Sequence, residues 1–216
     1  MTLEFAPLHR KELRQAAELA ARAFSDYEYF TTWFPDPKEC AKVEMAIIWH
    51  AYKTNFSHVQ QLTARLDGQI VATAELNAPD FKEPSVLSYI LHGWLNVYRA
   101  ADKKRIDDWI AMDAAAGEPC HDYQKTGPGI WYVSSLSVDP AMQGIGLGTK
   151  LLEYCENYIR EHGGKQVVLF TNSQKNLNFY LNRGYELFDE RFFEYNGRRM
   201  GSWSLKKVLS NALSLH

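Results

Sequence analysis

The sequence predicts a mixed α/β domain, with a central β-sheet, helices on both faces and a helical insertion between two core strands. Three observations carry that expectation. The C-terminal half alternates strand, helix, strand, helix and then two strands by its hydrophobic period. A glycine-rich turn, Gln143-Gly144-Ile145-Gly146-Leu147-Gly148, stands between the first of those strands and the first of those helices. Upstream, Asp67-Gly68 joins two apolar runs in the manner of a hairpin.

In chain order, Leu3–Pro7 reads as a short strand ended by its proline. Over residues 9–25 the apolar positions Leu13, Ala16, Ala17, Ala20 and Phe24 recur every three to four residues, the mark of an amphipathic helix. An aromatic segment, residues 27–34, breaks at Pro35 and Pro37. A second helix is expected over 38–53, where Val43, Ile47, Ile48 and Ala51 share a face. Strands follow over 59–66 and Gln69–Asn77. Residues 78–128 read as the insertion: helical and aromatic over 87–115, then closed by Gly117, Pro119 and Gly127-Pro128-Gly129. A buried strand, Ile130–Val138, enters the glycine turn, and a helix over 147–162 stops at Gly163-Gly164. Gln166–Thr171 is a second buried strand. Asn172 or Ser173 can cap a helix through Arg183, which ends at Gly184. Strands over 185–195 and 199–208 flank the Asn196-Gly197 turn. All 216 residues are assigned to one domain.

Composition narrows the function. The net charge is −2, and the short basic runs Lys103-Lys104-Arg105 and Arg198-Arg199 sit beside acids, so nucleic acid is not expected as a partner. No stretch has the length of a membrane span, and Met1-Thr2-Leu3-Glu4-Phe5 lacks the basic and apolar regions of a signal peptide. Cys40, Cys120 and Cys155 are scattered, without metal-ligand spacing, so neither a disulfide framework nor a metal site is expected. A cytoplasmic location is the simplest expectation.

A strand running through glycines into a helix bares the amides at the helix start, where the dipole also favours an anion. Three nucleotide-type ligands compete for such a turn. The triphosphatase phosphate loop needs lysine directly after glycine, whereas Gly148-Thr149-Lys150 places it one residue late. The dinucleotide fingerprint needs an acid at the end of the next strand, and Val167-Val168-Leu169-Phe170-Thr171 has none. The third reading is a resemblance. Residues 138–148 closely resemble the acetyl-CoA motif [RQ]-x-x-G-x-[GA] of the GCN5-related N-acetyltransferases, with Gln143, Gly146 and Gly148 at its defined positions. About thirty residues on, Asn176-Leu177-Asn178-Phe179-Tyr180-Leu181-Asn182-Arg183-Gly184-Tyr185 looks like the family's second signature, N-x-x-F-Y-x-x-x-G-[FY]. The insertion departs from the minimal family pattern and is similar to the elaboration of the puromycin-acetyltransferase-like branch.

The resemblance implies a GNAT fold, acetyl-CoA as co-substrate and no metal. It implies that the strand around Leu136, Ser137 and Val138 binds the pantetheine arm through its backbone. The amides of Gln143, Gly144, Ile145, Gly146, Leu147, Gly148 and Thr149 would take the pyrophosphate. Asn176 would contact the pantetheine chain, Phe179 would pack near the cofactor, and Tyr180 would protonate the departing thiolate.

The acceptor is expected to be a small-molecule amine, walled by residues 27–34 and the insertion; a protein N-terminus or lysine is the alternative. Trp94, Tyr98 and Trp109 read as core residues of an inserted helical hairpin ahead of pocket walls. An alkylamine with a pKa near 10.4 costs about 4–5 kcal/mol to deprotonate at pH 7, against about 1.4 for an α-amine, so a base matters. The strand before the turn offers no carboxylate. Glu75, Glu28, Asp26 and His121 are candidates, each reading first as an ordinary surface or loop residue so that none is assigned as the base, and a water relay through Ser135 or Ser137 is a further route. The lack of an evident base keeps a non-catalytic acyl-CoA-binding module in view. A homodimer is compatible with all of this.

Overall fold

A computed structural model describes residues 2–209. Seven strands form one sheet in the order β1-β2-β3-β4-β5-β7-β6. They are β1 (Leu3–Pro7), β2 (Gln60–Leu66), β3 (Gln69–Asn77), β4 (Ile130–Val138), β5 (Gln166–Thr171), β6 (Glu186–Tyr195) and β7 (Arg198–Val208). Every neighbouring pair is antiparallel except β4 and β5, which the helical crossover between them makes parallel. The β2–β3 turn places Asp67 at φ 49° and Gly68 at φ 82°, the left-handed pair that a two-residue hairpin requires.

The helices are α1 (Leu13–Ala23), α2 (Glu28–Thr31), α3 (Pro37–Asn55), α4 (Val86–Leu91), α5 (Lys103–Gln124), α6 (Leu147–Glu161) and α7 (Gln174–Leu181). Strand alternation sorts them onto two faces. Trp131, Val133, Val167 and Leu169 point to the side of α6 and α7, where Leu151, Leu152, Cys155, Ile159, Leu177 and Tyr180 complete a core. Ile130, Tyr132 and Val168 point the other way, toward Cys120 on α5. On that second side α1 packs on α3, and residues from α2, α3 and α5 form an aromatic core in which Trp109 stacks on Phe30.

Several boundaries differ from the sequence expectation. One turn of 3-10 helix, Arg10–Glu12, precedes α1. The pattern over 87–115 is divided: α4, a 3-10 segment Trp94–Arg99 broken off at left-handed Gly93, then α5. Neither Gly117 nor Pro119 closes α5, which runs on to Gln124. Pro119 has no N–H for the Ala115 carbonyl, and Arg191 from β6 donates to that oxygen instead, at 2.9 Å. No side-chain cap starts α7; Ser173 holds the cap position without one, and Asn172 donates to the Gly201 carbonyl. Trp109 is a core residue and donates its indole N–H to the Tyr29 carbonyl.

The sheet opens at its centre. β4 pairs with β5 only through Ile130, Trp131 and Tyr132, against Gln166, Val167 and Val168. Past that point the β3–β4 register slips: Glu75 faces Ser135 but Leu76 faces Val133, which leaves Ser134 as an extra, exposed residue. A bulge bends its strand. The bend carries Leu136, Ser137 and Val138 away from β5, with one edge on β3 and the other free of strand partners among the described residues.

Candidate active site

The free edge of β4 leads directly into the glycine turn. Asp139 caps the short turn Pro140–Met142, accepting from the Ala141 amide at 3.0 Å, and an ion pair with Arg22 at 2.8 Å fixes its carboxylate. The chain then passes Gly144 at φ 80° and Gly146 at φ 82°, the second being the N-cap of α6. A side chain would be strained at either angle. A Cβ built on either meets nothing within 4 Å, so the space before these amides is open. The first turn of α6 holds no acidic residue, and Gln143, Gly144, Ile145 and Gly146 are exposed, Ile145 by 65%. Leu147 turns inward as a core residue. Exposed amides at the head of a 15-residue helix fit a polyphosphate anion. The turn therefore fits the pyrophosphate of acetyl-CoA.

Further expected residues converge on this turn. The Cβ direction of Gly148 points at Val138 and Phe179, 3.6 and 3.8 Å away, so β4, the turn and α7 meet there. Arg183 lies over the Phe179 ring at 3.7 Å and donates through Nε to the Thr149 hydroxyl at 3.1 Å. It brings a cation to the first turn of α6, a contribution that nothing in the local pattern announced. Gln143 is turned back, donating its side-chain amide to the Val138 carbonyl. Asn176 stands beside the hydroxyl of Tyr27, which also meets the Thr171 hydroxyl and accepts from the Asn172 amide at 2.7 Å. Tyr27 thus ties the aromatic segment to the open end of β5.

Tyr180 is 8% exposed, with Phe179 and Tyr185 edge-on to its ring. Its hydroxyl makes no hydrogen bond among the described residues. Burial pushes its pKa up, with the neighbouring Tyr27 adding to the effect, so the phenol stays protonated and able to donate.

On the other face, at the bulge, lies a buried polar layer containing Gln61, Thr73, Glu75 and Ser137. Glu75 is 7% exposed, opposite Gln61 on β2 and Ser135 on β4. Burial pushes its carboxyl up to about 7, partly offset by a hydrogen bond donated from the Gln61 amide. The Tyr52 hydroxyl meets that of Thr73 and lies near Ser135. Of the other base candidates, Glu28 and Asp26 are exposed, and His121 on α5 is kept neutral by burial.

A mixed sheet split between its two parallel strands, with exposed amides at a helix start beside the split, has the shape to take an acyl-CoA. The Acetyltransferase (GNAT) family pattern matches residues 25–185, and the chain belongs to that family. It is an acetyl-CoA-dependent N-acetyltransferase. No curated protein matches it. Solved structures share its fold at low identity. A GCN5-related N-acetyltransferase from Rhodopseudomonas palustris is 16% identical, with a TM-score of 0.60 over 97% of both chains. The yncA protein of Salmonella typhimurium, solved with its cofactor acetyl-CoA, is 15% identical with a TM-score of 0.58, covering 98% of this chain and 97% of that one. The ribosomal-protein-S18-alanine N-acetyltransferase of Escherichia coli is 14% identical with a TM-score of 0.55, covering 100% of this chain and 99% of its own. Among the described residues no helix is long and apolar enough to cross a membrane.

Proposed function

We propose that this acetyltransferase modifies a primary amine of a small molecule, with Glu75 as general base and Tyr180 as the acid for the leaving thiolate. Acetyl-CoA supplies an activated acetyl group, whose C–S bond is exchanged for a C–N bond while one proton leaves nitrogen and one reaches sulfur. Leu136, Ser137 and Val138 orient the pantetheine arm through their free backbone edge, Asn176 contacts that arm and Phe179 packs beside the cofactor. The amides of Gln143, Gly144, Ile145, Gly146, Leu147, Gly148 and Thr149 hold the pyrophosphate.

The observation that carries this reading is the bulge. It opens the strand edge toward the cofactor and, at the same register position, sets Glu75 across from Ser135. A carboxyl at about 7 is matched to taking a proton near neutral pH. Tyr180 lies past the end of the turn on α7 as a protonated donor. The acid–base pair argues against a non-catalytic CoA-binding module.

The small-molecule preference rests on covering elements. Glu75 is buried and Tyr29 and Asp113 are half-buried on the face packed by α2, α3 and α5. A slender amine reaches such a place more readily than a folded protein surface does. Steady-state thioester cleavage with alkylamines and with N-terminal peptides tests the reading. Turnover with amines and not peptides is the expected result; the reverse would transfer the assignment to a protein acceptor.

A further inference from the structure

We propose that Arg183 is a positioning residue for the cofactor pyrophosphate, passing its charge through the Thr149 hydroxyl and so setting a preference for CoA over thiols that lack phosphate. This deepens the function proposed above and rests on its assignment of the turn.

A cation is out of place where Arg183 stands. The first turn of α6 is the positive end of that helix, and the amides of Leu147, Gly148 and Thr149 donate to nothing among the described residues. A guanidinium added there raises the local potential further. Arg183 forms no ion pair among the described residues; its hydrogen bonds go to Thr149 and to the Phe179 carbonyl. Acids are close by all the same, because Arg183 lines a cavity of about 190 Å³ together with Glu153, Glu156 and Lys207. Glu156 is taken by Lys207, whose Nζ lies 2.8 Å from both carboxylate oxygens, and by the Tyr185 hydroxyl at 3.1 Å. The charge of Arg183 is left for something else.

The way it is held says what that is. Nε donates to Thr149 Oγ1 at 3.1 Å, Nη2 donates to the same oxygen, and Nη1 donates to the Phe179 carbonyl at 2.7 Å. The Phe179 ring lies 3.7 Å from the guanidinium carbon. Two N–H groups fill the acceptor capacity of the Thr149 hydroxyl, so what it has left to offer is its own proton. That proton is donated to nothing among the described residues, and Thr149 is only half-buried. A hydroxyl that accepts from a cation is a stronger donor than a free one, because each hydrogen bond polarises the next. Thr149 is the third residue of α6, beside the open amides. A phosphate at this turn therefore receives main-chain N–H groups and a charge-assisted O–H together. The pantetheine arm carries no charge and gains nothing from this cation.

Calorimetry with CoA and with pantetheine, which has no phosphate, tests this on the intact protein, Arg183→Met, Arg183→Lys, Thr149→Val and the double variant Thr149→Val/Arg183→Met. Arg183→Met should weaken CoA by at least about tenfold at low salt and by less at high salt, and leave pantetheine unchanged. Arg183→Lys should recover part of that loss, since the charge persists while the fork on Thr149 does not. Thr149→Val should lose about as much CoA affinity as Arg183→Met, and the double variant little more than either. Inorganic pyrophosphate should raise the melting temperature of the intact protein, and do so less for each single variant. Equal losses for CoA and pantetheine would reduce Arg183 to packing support for Phe179 and overturn the inference. Additive losses in the double variant, or undiminished CoA affinity in Arg183→Met, would overturn it too. Should Arg183→Met fail to fold, Thr149→Val and Arg183→Lys carry the same comparison. In each of these outcomes CoA still binds the intact protein and the assignment of the turn stands; no CoA binding by the intact protein would remove both.

Discussion

A carboxyl that holds its proton to about 7 is suited to catalysis at the expense of stability, and Glu75, the proposed base, carries both consequences. Its folded pKa lies above the ordinary 4.5, so the native state binds the proton more tightly than the unfolded chain. The destabilisation is therefore absent below about pH 4.5 and complete above about pH 7. Glu75→Gln should gain up to roughly 3 kcal/mol at pH 8 and nothing at pH 4, measured by denaturant unfolding across pH. The same substitution should lower kcat/KM for an alkylamine by about a hundredfold and abolish the limb that rises through pH 7. Glu44 supplies the control. It is fully buried on α3, pushed up to about 7 by burial, and bonded to the Cys40 thiol. Glu44→Gln should stabilise the protein in the same pH window and leave turnover intact. For Tyr180→Phe, kcat should fall by about ten- to a hundredfold with little change in acetyl-CoA affinity; matched losses in both would mean that the ring acts only by packing.

Among the elements, the start of α6 was the most legible feature of the chain, because its determinants are local. Glycines at alternate positions, a preceding apolar strand and a following amphipathic helix all lie within a short window. Gly146→Ala should weaken CoA binding by more than about tenfold and cost about 1–2 kcal/mol, since its φ of 82° strains any L side chain. Calorimetry well below the melting point separates those two effects. α5 shows the opposite case. Glycine and proline at 117 and 119 are sound local stop signals, and what overrides them is the guanidinium of Arg191, more than seventy residues downstream. Arg191→Leu should uncover the Ala115 carbonyl and lose the Glu118 ion pair, for about 1–3 kcal/mol by chemical denaturation. The site divides in the same way. Tyr180 and the turn were readable as motifs. Glu75 was one name among four, because its burial and its Gln61 partner depend on strand register.

For the molecule as a whole, the succession of strands and helices along the chain followed from counting elements, whereas the order of strands in the sheet and the gap at its centre did not. That gap depends on one surplus residue, Ser134, which ordinary strand alternation hides. A ligand that fills it acts on the native state alone. With CoA at about a hundred times its Kd, mass action contributes roughly 2.7 kcal/mol, or about 5–10 °C in melting temperature for a chain of this size. A smaller shift at saturation would indicate that the cofactor also binds partly unfolded chains.

Only three residue pairs stitch β4 to β5, and therefore the four strands on one flank to the three on the other. Apart from the helices crossing above and below, that seam is where the two flanks can breathe relative to one another. Amide hydrogens along it should exchange faster than those in the β2–β3 or β6–β7 ladders. A cofactor lying in the split would brace both flanks and slow that exchange, so the protein should be stiffest when it is loaded for reaction.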